Sequence, residues 1–212
     1  MDLDFRAYFE RLQDEVRGRK NLHQSMVSLM DWCSQRLHHR DWKRLATLVD
    51  AEDSVSAREW LPGVLARAPC PFPIRGVYFG LGEFTDSNGI EFADLYVGFM
   101  SEYDRNDLAA EWLFSDPLHY PDEAYLGSET LRKAGVLCNR EKQPPGLGVD
   151  GNVAFSVAFA ALLLRTLLDE KAFRLFKGTG PIGVVTGFDS GDLVRIGEVT
   201  AGGFVANPGP MV

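Results

Sequence analysis

Apolar residues recur at helical spacing through the first third of the chain. Leu3, Tyr8, Leu12 and Val16, joined by Phe5 and Phe9, form a stripe that predicts an amphipathic helix. A second helix is predicted over 21–38, with Leu22, Met26, Leu29, Met30, Cys33 and Leu37 on one side. A shorter third carries Trp42, Leu45, Leu48 and Val49. Ser56 is followed three residues later by Glu59, a capping-box spacing that predicts another short helix, ended by Pro62-Gly63. Pro69, Pro71 and Pro73 exclude regular helix and mark a connector into a sheet.

Beyond residue 73 the period shortens to two. Val77, Phe79 and Leu81 alternate with Tyr78 and glycines, while Leu95, Val97 and Phe99 alternate with Tyr96 and Gly98. Asp86-Ser87-Asn88-Gly89 between them carries hairpin chemistry, and such apolar strands belong in the middle of a sheet. Residues 104–150 read as irregular, apart from a short helix over 128–134 capped by Ser128 and stopped by Gly135. "EKQPPGLGVDG" reads as loop. The strongest helix spans Asn152 to Lys177, where Val153, Val157, Phe159, Leu163, Leu167 and Leu168 cover most of the surface, as in a centrally packed helix. "IGVVTGF", the turn "DSGD" and "LVRIGEV" then form a second hairpin. The order predicts one α+β domain over 1–212. A helical N-terminal region (1–70) is followed, over 71–212, by an antiparallel sheet of hairpins packed on a central hydrophobic helix.

Composition narrows the class. A chain of 212 residues buries a substantial core without disulfides or metal, and 45% apolar with 25% charged residues is ordinary for a soluble globular protein. The opening "MDLDFRAYFERLQDE" has no apolar run suited to a signal peptide. "VAFSVAFAALLL" is too short to span a bilayer and is followed by Arg165, so it reads as a buried helix. Cys33, Cys70 and Cys138, odd in number and far apart, fit a reducing cytoplasm. A net charge of −8 argues against nucleic acid and anionic membranes as partners.

Several motifs invite chemistry, and each has a plainer reading. Gly178, Gly180 and Gly183 in "GTGPIG" match the spacing of a dinucleotide-binding loop, but that loop must follow a strand and open a helix. Here a helix precedes and a hairpin follows, so Gly178 reads as a helix stop and no cofactor is expected. His23, Cys33, His38 and His39 share a helical region without Cys-x-x-Cys or His-x-x-x-His spacing, and no metal site is expected. "DSNG" lacks the ligand intervals of a calcium loop. His119, beside several carboxylates and with Ser115 or Cys138 as a conceivable nucleophile, supports an alternative: a small hydrolase or transferase. Glu83 and Asp94 would suit acid–base work if they faced one another across the first hairpin.

The most distinctive feature is regional. Between Glu83 and Glu129 lie twelve acidic residues and one basic residue, Arg105, an imbalance larger than the net charge of −8 for the whole chain. Aromatic residues are interleaved with them, and Trp112, Tyr120 and Tyr125 fall in loop-like sequence, where exposed rings anchor partners. Concentrated negative charge costs stability but accelerates capture of a basic partner. Asp104, Asp107, Glu111, Trp112, Asp116, Tyr120, Asp122 and Glu123 are therefore the expected contacts. A solubilising acidic face is the plainer alternative, and a scaffolding subunit would instead show a large apolar patch.

"IRGVYFGLGEF", "DLYVGFMSEYD" and "GFDSGDLVRIG", with a helical N-terminal segment, resemble patterns in small cytoplasmic bacterial proteins encoded beside polymorphic or contact-delivered toxins. The resemblance covers the sheet-forming two-thirds in general character. It implies an immunity protein: a non-enzymatic inhibitor that binds a cognate toxin and blocks it. It carries over no individual residues, because such proteins have many unrelated folds.

Overall fold

The computed structural model describes residues 3–18, 20–49, 51–67, 69–87, 89–107, 110–114, 117–121, 125–140, 145–169, 181–189, 191 and 193–206. Helix α1 spans Phe5–Arg17, begun by Asp4, whose carboxylate accepts the Ala7 amide at 3.1 Å. Helix α2 spans Leu22–Arg36 and opens with a capping box in which Asn21 and Gln24 serve each other's backbone amides. Helix α3 covers Asp41–Ala46. The predicted apolar stripes of these helices are buried, including Tyr8, Leu12, Val16, Met26, Leu29, Met30, Trp42 and Leu45. Buried Glu15 fixes the α1–α2 corner, accepting from Arg11, Lys20 and Ser28.

Helix α4 corrects the expectation of a short helix capped at Ser56 and ended by Pro62-Gly63. It runs from Ala51 to Arg67 with Pro62 inside it. Proline removes one amide donor from the ladder. Burial of Ala57, Leu61 and Val64 along one face carries the helix through that gap. Its early start has a local cause as well. Asp53, buried in the first turn, accepts the Ser128 hydroxyl at 2.9 Å and the Thr130 amide at 3.0 Å.

The sheet has the strand order β3-β2-β1-β4-β5-β6. Strands β1 (Gly76–Thr85) and β2 (Glu91–Met100) form the expected hairpin, with Gly89 at φ 77° in the turn. Strands β4 (Ile182–Phe188) and β5 (Leu193–Thr200) form the second. Two short strands were not anticipated: β3 (Leu118–His119) beside β2, and β6 (Gly203–Ala206) beside β5. The hairpins meet along β1 and β4, which run parallel from Gly76↔Gly183 to Leu81↔Phe188. The sheet is therefore mixed, not wholly antiparallel. The intervening helices return the chain to the starting end of β1, as a parallel neighbour requires.

Helix α5 (Glu129–Cys138) is capped by Ser128 as expected but passes through Gly135. That glycine lets α5 lie close to β2, since a Cβ there would come 2.8 Å from Phe92 Cα. Helix α6 spans Gly148–Asp169, beginning inside the segment read as loop; residues 170–177 lie outside the described ones. Among the described residues it is the one helix long and apolar enough to cross a membrane, yet 83% of that stretch is buried inside the fold. It touches α1, α2, α4, α5 and five of the strands, which makes it the central support of the α+β fold. One buried apolar cluster includes residues from the N-terminal helices, α6 and the sheet.

Candidate functional site: the aromatic face of the sheet

Strand alternation divides the sheet into two chemistries. Val77, Phe79, Leu81, Leu95, Val97 and Phe99 are buried on one face, where Trp60 of α4 meets Phe79. The opposite face carries Gly76, Tyr78, Gly80 and Gly82 on β1, with Met100, Gly98, Tyr96 and Asp94 as their partners on β2. Gly183, Val185 and Gly187 continue this face on β4, as do Arg195 and Glu198 on β5.

Rings occupy the space that the glycines leave. A Cβ on Gly80 would collide with the phenol end of Tyr96, and one on Gly183 with the ring of Tyr103. A Cβ on Gly98 would come 2.6 Å from Tyr120 Cε1, and one on Gly76 would come 2.8 Å from Trp112 Cε3. Three of these rings belong to the segment after β2, so that segment is seated across the sheet by its aromatic residues. Its later part bridges back at Tyr125 to Tyr96, and Asp94 accepts the amides of Gly127 and Ser128. Burial is the largest influence on the Asp94 carboxyl and raises it, partly opposed by those amides.

Two polar clusters lock this arrangement. In the first, Tyr78 Oη lies 2.9 Å from the Gly187 carbonyl and 3.0 Å from Asp189 Oδ1, which also accepts the hydroxyl of Tyr96. Burial, followed by the Asp189 carboxylate, pushes both phenols well above the ordinary tyrosine range. Tyr120 and Tyr125 pack on Tyr96 with ring centroids at 5.8 and 5.5 Å. In the second cluster, Glu198 accepts from Tyr103 Oη at 2.5 Å and from Arg105 Nε at 2.7 Å. Arg195 donates to Tyr103 Oη at 3.0 Å and to the Arg105 carbonyl at 3.2 Å. Burial raises the Glu198 carboxyl, but the bonds and charges of Arg105, Tyr103 and Arg195 outweigh it and hold the group below its ordinary value. The basic residue of the acidic region is thus occupied in tying that region to β5.

The expected contact residues separate accordingly. Asp104 and Glu111 are exposed, Tyr120 is 51% exposed, and Asp107 is half-buried, with Oδ2 accepting the Trp112 amide at 3.3 Å. Trp112 requires correction: it is 4% exposed, because its ring fills the space above Gly76, and it has no contact surface to offer. Asp116, Asp122 and Glu123 lie outside the described residues. Phe114, 78% exposed, and Tyr125, 48% exposed, supply the outward rings that Trp112 does not. Tyr78, Tyr96, Asp189, Arg195 and Glu198 were not singled out. For the two tyrosines the signal is the alternation with glycine in "VYFGLG" and "LYVGFM"; the three charged residues, in the second hairpin, carry no comparable pattern.

The residues of the other candidate chemistries lie in separate surroundings. His119 stacks on Phe99 at 6.3 Å and meets the edge of Phe72 at 6.5 Å, and its buried Nε2 has no hydrogen-bond partner. Ser115 lies outside the described residues. Cys138 is buried, and burial followed by the Asp41 carboxylate pushes its thiol up to about 12. Glu83 and Asp94 do not face one another. Asp94 pairs with Gly82 and Glu83 with Ala93, so the two acids project from opposite faces. Residues 178–180 of the glycine motif lie outside the described residues, while Gly183 enters β4. Among the described residues, no group of three or more His, Cys, Asp or Glu side chains is placed to hold a metal ion. No known family, curated protein or solved structure matches the chain.

Proposed function

We propose that this chain is a non-enzymatic binding protein that captures a basic protein on the aromatic face of its sheet. Its most specific form is a cytoplasmic immunity protein that neutralises a cognate bacterial toxin. One observation carries the reading. Exposed Phe114, Tyr120 and Tyr125 stand with exposed Glu102, Asp104 and Glu111 on a segment already fastened to the sheet. Exposed aromatic side chains are common binding anchors, and surrounding carboxylates steer a cationic partner. Fastening the segment beforehand lowers the ordering cost of association. Arg105 contributes little compensation, because Glu198 engages its guanidinium through two nitrogens.

The test is co-expression with a candidate basic toxin, followed by association kinetics on the purified pair. A stoichiometric complex that abolishes toxicity is expected. Changing Glu102, Asp104 and Glu111 together to lysine is expected to slow association by roughly tenfold or more at low salt. An unchanged association rate would overturn the assignment of this face.

A further inference from the structure

We infer that Asp189 and its surrounding tyrosines form a receiving site for one arginine side chain of the partner. This inference rests on the proposed binding role and specifies its chemistry. Asp189 is exposed at the end of β4, and its Oδ1 takes the hydroxyls of Tyr78 and Tyr96. Among the described residues, Oδ2 accepts no hydrogen bond and no Lys, Arg or His forms an ion pair with this carboxylate. The two phenols therefore fix the direction of the group and leave its charge without a counter-ion among the described residues. Around it stand buried Tyr78 and Tyr96 and half-exposed Tyr120, with Tyr96 centroids 5.8 Å from Tyr78 and Tyr120. A carboxylate beside tyrosine rings suits a cation that also stacks. Guanidinium does both, since its plane lies on a ring while its edge donates to a carboxylate. Ammonium offers only the charge.

The site is testable without knowing the partner. Purified protein would be titrated with N-acetyl-arginine methylamide while its NMR spectrum is followed, with the citrulline and lysine counterparts as separate arms. Saturable shifts of the Tyr120 ring and the Gly187 amide are expected with arginine. The neutral citrulline probe should leave them unmoved. Asp189→Asn keeps an acceptor for both phenols and is expected to weaken arginine binding roughly tenfold, with Tyr120→Leu a second variant outside that acceptor pair. Absence of saturable shifts, equal response to citrulline, or unchanged binding in both variants would overturn the proposal. Equal affinity for the lysine probe would overturn the preference for guanidinium. The outcome is separable from the wider reading: arginine binding with no toxin complex sinks only the partner assignment, and the reverse result sinks only this site.

Discussion

The phenol end of Tyr96 occupies the space that a side chain at Gly80 would need, and from there its hydroxyl reaches Asp189. Each partner is useful because of the other. Gly80→Ala is expected to displace the ring and cost about 1–3 kcal/mol, read from denaturant unfolding. In a Tyr96→Ala background the same change is expected to cost well under 1 kcal/mol, because the two positions share one space. Additive penalties would show that the ring is not what excludes the methyl group.

Trp112 and Phe114 sit two residues apart and are expected to answer different assays. Trp112 is buried above Gly76, so Trp112→Ala should destabilise the fold by about 3–5 kcal/mol. Phe114 is 78% exposed, so Phe114→Ala should leave the thermal midpoint nearly unchanged while weakening the proposed complex with a basic partner. Thermal melts and binding measurements on both variants check the division.

Acid sensitivity should trace to Glu15 and Glu198. Burial raises both carboxyls, but hydrogen bonds and neighbouring cations prevail and hold each below its ordinary 4.5. The folded chain therefore binds these protons less tightly than the unfolded chain. Their contribution is present above pH 4.5 and is lost as pH falls through the depressed folded-state values. Glu15→Gln is expected to lower stability near neutrality and flatten the decline towards acid, measured as unfolding free energy against pH.

Helix α4 tolerates Pro62 without needing it. Pro62→Ala is expected to restore a donor to the helical ladder and raise stability by about 1–3 kcal/mol. Gly63→Ala should add about 0.5–1 kcal/mol, because a methyl there meets only the end of the Arg67 side chain, Nη1 at 3.4 Å and Cζ at 4.0 Å, ordinary contacts. A fall in thermal midpoint for Pro62→Ala would show that the ring itself packs usefully.

Periodicity revealed the elements with a strong apolar pattern. The stripes of α1 and α2, both hairpins and the buried character of α6 follow from one-face or all-round burial. Pro62 and Gly135 misled because local breaker chemistry yielded to tertiary contacts: the buried stripe of α4, and the close approach of α5 to β2. Strands β3 and β6 contain only two and four residues, too few for alternation to declare itself. Charge counting located the acidic region but not the inward turn of Trp112. That orientation depends on Gly76, 36 positions earlier in the chain. Asp189 was visible only as turn chemistry, since the tyrosines that reach it come from the other hairpin.

The parallel seam between β1 and β4 also bears on how the chain assembles. Each hairpin closes a short loop, whereas Gly76 meets Gly183 only after the helices between them have folded back. Such a distant pairing incurs a large loop-closure entropy before its contacts repay it. The seam is therefore expected to form after the hairpins, with docking of α6 setting the pace of folding. A newly made chain would expose the unpaired edge of β1 until its last third emerged, which makes synthesis the period of greatest aggregation risk.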